Sequence, residues 1–187
     1  MRRMLDMRSY SLLVIGFALV LSGCAGTPPK PHFVQPPKKE AIIHSTDTAN
    51  VSVAAATGVE MLDHEKSRLS NVISQKINEK KIKSIGSGAA SAFDVEVSVT
   101  RYEKGNAFAR AMLAGLGQIH IDAKVRLLTA GTQDQLSSFD IKKTFAWGGL
   151  YGGTTRIDDV EPAFAEGIAA ALTGLPEDSK QPASATK

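Results

Sequence analysis

The chain has 187 residues, with 22 Lys and Arg against 19 Asp and Glu and a formal charge of +3, a length that suits one domain with its own core rather than two. Arg2, Arg3, Arg8 and Asp6 all precede Gly23, and without them the balance is 19 to 18; a chain that interleaves the two signs so evenly lacks the clustered Lys and Arg that phosphate binding needs, which excludes nucleic acid as a partner. Cys24 is the only cysteine, so no internal disulfide can form and the fold must rest on packing.

In chain order, Arg2, Arg3 and Arg8 give a positive n-region, Ser11 to Leu21 an apolar run, and Leu21-Ser22-Gly23-Cys24 closes it. A spanning helix takes about 20 apolar residues to cross about 30 Å of hydrocarbon, so this shorter run reads as an export signal over residues 1–23. The closing tetrapeptide resembles the lipobox of bacterial lipoproteins. That resemblance implies cleavage before Cys24, a thioether-linked diacylglycerol on its sulfur and an acyl group on its amine. An ordinary secretory signal with an incidental cysteine is the alternative. Several acyl chains anchor stably where one, at about 0.8 kcal/mol per buried CH₂, holds only marginally. Ala25 stands where Gram-negative sorting would place Asp to retain a lipoprotein in the inner membrane, which by resemblance implies the outer membrane with the domain in the periplasm.

Residues 24–40 include Thr27-Pro28-Pro29-Lys30-Pro31 and Gln35-Pro36-Pro37-Lys38-Lys39, which hold five of the eight prolines. They read as an extended tether, which at about 3.1 Å per residue reaches up to about 60 Å from the membrane; a proline ligand for a partner domain is the alternative. One αβ domain is expected over 41–175, with a disordered tail over 176–187. Ala41 to Gly58 leans towards β, with Ile42, Ile43, Val51 and Val53 as the strand residues. From Asp63 to Ile85, Leu69, Val72, Ile73 and Ile77 recur at helical spacing, with Asp63 and Glu65 at the start and Lys80, Lys81 and Lys83 at the end, both matching the macrodipole. Gly86 and Gly88 supply the stop, and the lysines read as a solvated helix end, with a surface for anionic headgroups as the alternative.

Phe93 to Thr100 alternates apolar on odd positions and polar on even ones, the mark of a strand buried on one face. Ile119, Ile121, Ala123, Val125 and Leu127 repeat that parity, with His120, Asp122, Lys124 and Arg126 opposite. A third strand carries Phe139, Ile141, Phe145 and Trp147, interrupted by Lys143, which either sits at a bulge or snorkels. Apolar parity and charge set the register across the turn at Ala130-Gly131-Thr132-Gln133: Val125 opposite Phe139, Lys124 opposite Asp140 and Asp122 opposite Lys142. Ala107 to Leu116, with Phe108, Met112 and Leu116 at helical spacing, suits a short helix capped by Asn106, and the connection through 103–118 leaves the direction of its flanking strands open. The last helix runs from Asp158 to Thr173 on Val160, Phe164, Ile168 and Leu172, with Pro162 in its first turn and Gly174 and Pro176 beyond it. The fold class is α+β: a small sheet of three to five mostly antiparallel strands with helices packed on one face.

The segment Val99-Thr100-Arg101-Tyr102-Glu103-Lys104-Gly105-Asn106-Ala107, with Arg110, Gly115-Leu116-Gly117 and Ala146 to Gly153, resembles the bacterial lipoproteins grouped as domain of unknown function 4410, over roughly Ile42 to Leu172. The resemblance implies an envelope lipoprotein with a mixed αβ domain and carries no catalytic residue with it.

Chemistry-bearing constellations are few. The glycines of Trp147 to Gly153 lack the Gly-Lys-Ser/Thr end of a phosphate loop and read as a mobile loop between strand and helix. The histidines at 32, 44, 64 and 120 have no ligand spacing, so no metal is expected, and no cofactor. No Gly-x-Ser-x-Gly elbow appears. His120 and Asp122 share a strand face as a weak acid–base pair. Trp147 and Tyr151, aromatics in a flexible setting, are the expected partner contacts, together with Arg110, whose charge suits an anion, with a structural ion pair as the alternative. The expectation is a lipid-anchored, non-catalytic binding or assembly module for an envelope protein or small ligand, bound to the membrane through Cys24. The alternatives are a subunit of a lipoprotein oligomer or secretion-type assembly, and a periplasmic enzyme of unknown class.

Overall fold

A computed structural model describes residues 29–37, 41–84, 89–113 and 115–177. Cys24 and its lipobox, the stop at Gly86 and Gly88, and the tail from residue 178 lie outside the described residues. Five strands, β1 (His32–Gln35), β2 (Thr48–Ala55), β3 (Ala92–Glu103), β4 (Ile119–Thr129) and β5 (Gln135–Phe145), form one sheet in the order β1-β5-β4-β3-β2. Only β2 and β3 are parallel. Their crossover is α1 (Asp63–Lys81); α2 (Ala107–Met112) lies between β3 and β4, and α3 (Gly149–Thr154) and α4 (Ile157–Thr173) follow β5. This is the expected α+β class, and β3 and β4 pair antiparallel despite the long connection between them.

Alternation builds the sheet. Phe93, Val95, Val97 and Val99 of β3 and Ile119, Ile121, Ala123, Val125 and Leu127 of β4 are buried beneath α1 and α4. Leu69, Ile73 and Ile77 of α1 and Val160, Phe164, Ile168 and Leu172 of α4 close the core from above. Glu65 and Asp159, each at the third helical position, accept the N–H of the residue before the helix, Leu62 at 3.0 Å and Arg156 at 2.7 Å. Both helix starts thus satisfy a donor that the helix itself leaves unpaired.

Several expectations are corrected. Ile42 and Ile43 are not strand residues: Ile43 donates its N–H to Leu172 O at 2.9 Å, tying its segment to the end of α4. The proline-rich stretch is sheet in part, since His32–Gln35 pairs with β5, Phe33 stacks on Phe139 at 5.3 Å and Pro29 is buried. Proline suits such an edge, where a missing N–H costs no ladder bond. Lys80 is 2% exposed, bonded to Glu166 at 2.6 Å and to Pro176 O at 2.6 Å, while Lys81 donates to Asp47 O. The helix end is therefore pinned rather than solvated. Pro162 falls in the second turn of α4, where it gives up the bond to the Asp158 carbonyl on an exposed face.

Candidate functional site

At the end of the sheet where β3 and β5 finish, two short helices form a lobe. Asn106 starts α2 by accepting the Ala109 N–H at 2.9 Å. Gly105 and Gly117 flank it at φ +65° and +67°, and a Cβ on Gly105 would strike the carbonyls of Gly117 and Gln118. The segment from Gly149 is not a mobile loop but α3. Glycine's entropy opposes a helix there, and packing overrides it: Gly152 lies so close to the Trp147 carbonyl that no side chain fits, and a Cβ on Gly153 would meet Ala111 of α2 at 2.9 Å.

Arg110 joins the two helices. It is 2% exposed, and its guanidinium donates to Gly152 O at 2.8 Å, Thr155 O at 2.8 Å, Gly117 O at 2.7 Å and Lys104 O at 3.2 Å. Arg110 is therefore a clamp on three loops and not a partner contact, because its donors are engaged inside the fold. Burial alone holds its pKa below the usual arginine value.

The clamp leaves apolar surface outside. Tyr151 packs between Phe145 and Trp147, both ring centroids at 5.8 Å. Trp147 and Tyr151 are each about two-fifths exposed, and Leu150 is 89% exposed. Phe108 and Met112, at the helical spacing that suits α2, point outward at 74% and 67%. Among the described residues, seven of the ten exposed large apolar side chains belong to this lobe, the remaining two being Leu113 and Leu116.

Beside the lobe a cleft is lined by His64, Glu65, Arg68, Lys104, Arg156 and Asp158. Beneath it Glu161, 0% exposed, accepts Arg68 Nε at 2.8 Å and Nη2 at 2.9 Å, and the Tyr102 hydroxyl donates to Glu161 Oε1 at 2.7 Å. Burial and then the bond to that carboxylate push the Tyr102 phenol well above its ordinary value, and Glu161 raises Arg68. Burial pushes the Glu65 carboxyl up, but the bonds from Lys104, at 2.7 Å, and from the Leu62 N–H outweigh it and hold Glu65 low. This network was not found from the sequence. Tyr102 turns inward only because the ladder slips between Val99 and Arg101, and Glu161 sits in a helix turn where acidic residues are ordinary.

The polar face of the sheet is cross-neutralised. Glu96 pairs with Arg126, and Lys124 and Asp122 stand opposite Asp140 and Lys142. His120 Nδ1 lies 3.1 Å from Thr144 Oγ1, and burial lowers its pKa first, then the charge of Arg101. Among the described residues no group of three or more His, Cys, Asp or Glu is placed to hold a metal, and no helix is long and apolar enough to cross a membrane.

A family model described as a domain of unknown function, DUF4410, matches residues 39–149. No curated protein matches the chain. Among solved structures, a PelC dodecamer from Paraburkholderia phytofirmans is similar at 10% identity and a TM-score of 0.50, over 79% of this chain and 99% of that one. A DUF330 protein from Xanthomonas campestris is similar at 13% identity and a TM-score of 0.46, over 78% and 95%. A candidate lipoprotein from Caulobacter crescentus CB15 follows at 17% identity and a TM-score of 0.35, over 65% and 82%. The PelC likeness is one of fold.

Proposed function

We propose that this chain, which belongs to the DUF4410 family, is a lipid-anchored module of the bacterial envelope that works by contact rather than by catalysis. The observation that carries this reading is the α2–α3 lobe, where large apolar side chains, Trp147 and Tyr151 among them, stand exposed on backbone that Arg110 clamps from inside. A small domain that gathers apolar surface in one place marks a docking site. The neighbouring cleft supports the same reading, since its carboxylates are engaged by cations: Glu161 by Arg68, Glu65 by Lys104 and Asp158 by Arg156. A general acid or base needs a proton within reach of substrate rather than a fixed partner of opposite charge.

The lipobox at Leu21-Ser22-Gly23-Cys24 supports anchoring, and Ala25 supports the outer membrane, with the domain in the periplasm. Cys24→Ser should abolish labelling by a palmitate analogue and release the protein from the envelope fraction. Retention of the cleaved variant in membranes would overturn the anchor, and recovery of the wild type solely in inner membranes would overturn the sorting. Affinity capture of the lipidated protein, followed by mass spectrometry, tests for an envelope partner.

The fold shared with a PelC dodecamer supports a second reading, a subunit of a lipoprotein oligomer. Native mass spectrometry of the detergent-solubilised, lipidated protein should then give a discrete assembly. A monomer at every concentration would overturn that reading.

A further inference from the structure

We infer that the α2–α3 lobe rests on a lipid bilayer, and that the bilayer rather than another protein covers Phe108, Met112, Leu150 and Trp147. The inference rests on the lipid anchor proposed above, and its own support is the length of chain between that anchor and the fold. Because β1 runs antiparallel to β5 with His32 opposite Asp140, the chain preceding His32 heads towards the end of β5 that carries Phe145 and Trp147. Pro29 is buried over Gly167 of α4, beside Ile141 Cδ1. Pro29 is only the fifth residue after Cys24.

Five residues reach at most about 17 Å fully extended. Along β5, the four residues from Ile141 up to Phe145 cover about 14 Å, whereas the six residues down to Gln135 cover about 20 Å. An acylated Cys24 therefore reaches the level of the lobe and falls short of the β4–β5 hairpin. The anchor brings the lobe end of the domain to the headgroups.

The side chains found at that end suit the boundary. Tryptophan and tyrosine favour the headgroup level, where an apolar ring with a polar edge satisfies both phases. Phe108, Met112 and Leu150, exposed on α2 and α3, supply the apolar face of an interfacial helix pair that dips below it.

The chain contains one tryptophan, Trp147, so its fluorescence reports on the lobe alone. The lipidated full-length protein, reconstituted into phosphatidylethanolamine and phosphatidylglycerol vesicles doped with a lipid brominated near the headgroup end of its acyl chain, should show quenched and blue-shifted emission. Leu150→Asp, at a position exposed enough to leave the fold intact, should lose part of that quenching while staying anchored. Acylated, vesicle-bound protein whose Trp147 emits as it does in detergent-free buffer would overturn this inference and leave the anchor standing. Protein that carries no acyl chain on Cys24 would overturn both.

Discussion

Glu161 carries a charge at 0% exposure because both of its oxygens are engaged, by Arg68 twice and by the Tyr102 hydroxyl. A buried charge of this kind is tolerated only while its partners remain. Tyr102→Phe removes one charge-assisted bond and should cost about 1.5 to 3 kcal/mol in urea denaturation at neutral pH. The pH dependence follows from the direction of the phenol's shift. Burial and Glu161 raise the Tyr102 pKa in the folded state above its ordinary 10.0, so its contribution is fully present below pH 10.0 and is lost as pH rises through the folded value. The wild type should therefore lose more stability above that pH than the Phe variant, and parallel profiles would contradict the assignment. Arg110→Met tests a buried cation. It leaves the buried Gly152 and Thr155 carbonyls without their donor, while Gly117 O keeps the Asn106 N–H; at about 1 to 3 kcal/mol for each buried group left unpaired it should cost at least about 2 kcal/mol, with amide exchange accelerating in α2 and α3 before it does in the sheet.

At the scale of the element, the β4–β5 hairpin has the register that parity and charge require, Val125 opposite Phe139 and Lys124 opposite Asp140, with Gly131 at φ +92° in the turn. Both constraints are local and act together: a one-residue slip exposes the apolar face, and a two-residue slip sets Lys124 against Lys142. Lys124→Asp and Asp140→Lys should each destabilise by about 0.2 to 1 kcal/mol, and the double exchange should recover most of the loss; additive losses in thermal denaturation would show that the pair does not interact. Lys143 resolves in favour of snorkelling, since it stays in register opposite Ile121, with burial lowering its pKa and Glu177 opposing that shift. Alternation cannot predict Tyr102 in the same way. The slip beyond Val99 reverses parity within one strand, and nothing in the local pattern of Thr100 and Arg101 distinguishes it from an unbroken run.

For the whole molecule, the decisive placement is β1. It covers the outer edge of β5 and brings Phe33 onto Phe139, so the domain begins inside the proline-rich stretch and the slack between anchor and fold is the four residues 25–28 rather than the full spacer. A chain starting at residue 41 should be less stable by at least about 2 kcal/mol, the burial of roughly one aromatic side chain, and should self-associate through the bared edge. Thermal melting with light scattering checks both, and an equally stable monomer would show that β1 is dispensable. The opposite edge is partly protected already, because Ser70 of α1 donates to the outward carbonyl of Val51 in β2 at 2.9 Å.

The sequence by itself determined the fold class, three of the five strands, the cores of α1 and α4 and the hairpin register, because apolar period and opposed charges are properties of neighbours along one chain or across one turn. It did not determine that Phe108 and Met112 face outward, that Arg110 is spent on four carbonyls, or that Lys80 is buried. Those outcomes depend on what lies across the gap: α3 covers the inner side of α2, and Glu166 with the Pro176 carbonyl receives Lys80. A helical period says which residues share a face. Only the assembled tertiary structure decides whether that face finds a partner within the molecule, since burial is won by the surface that packs best against elements remote in sequence.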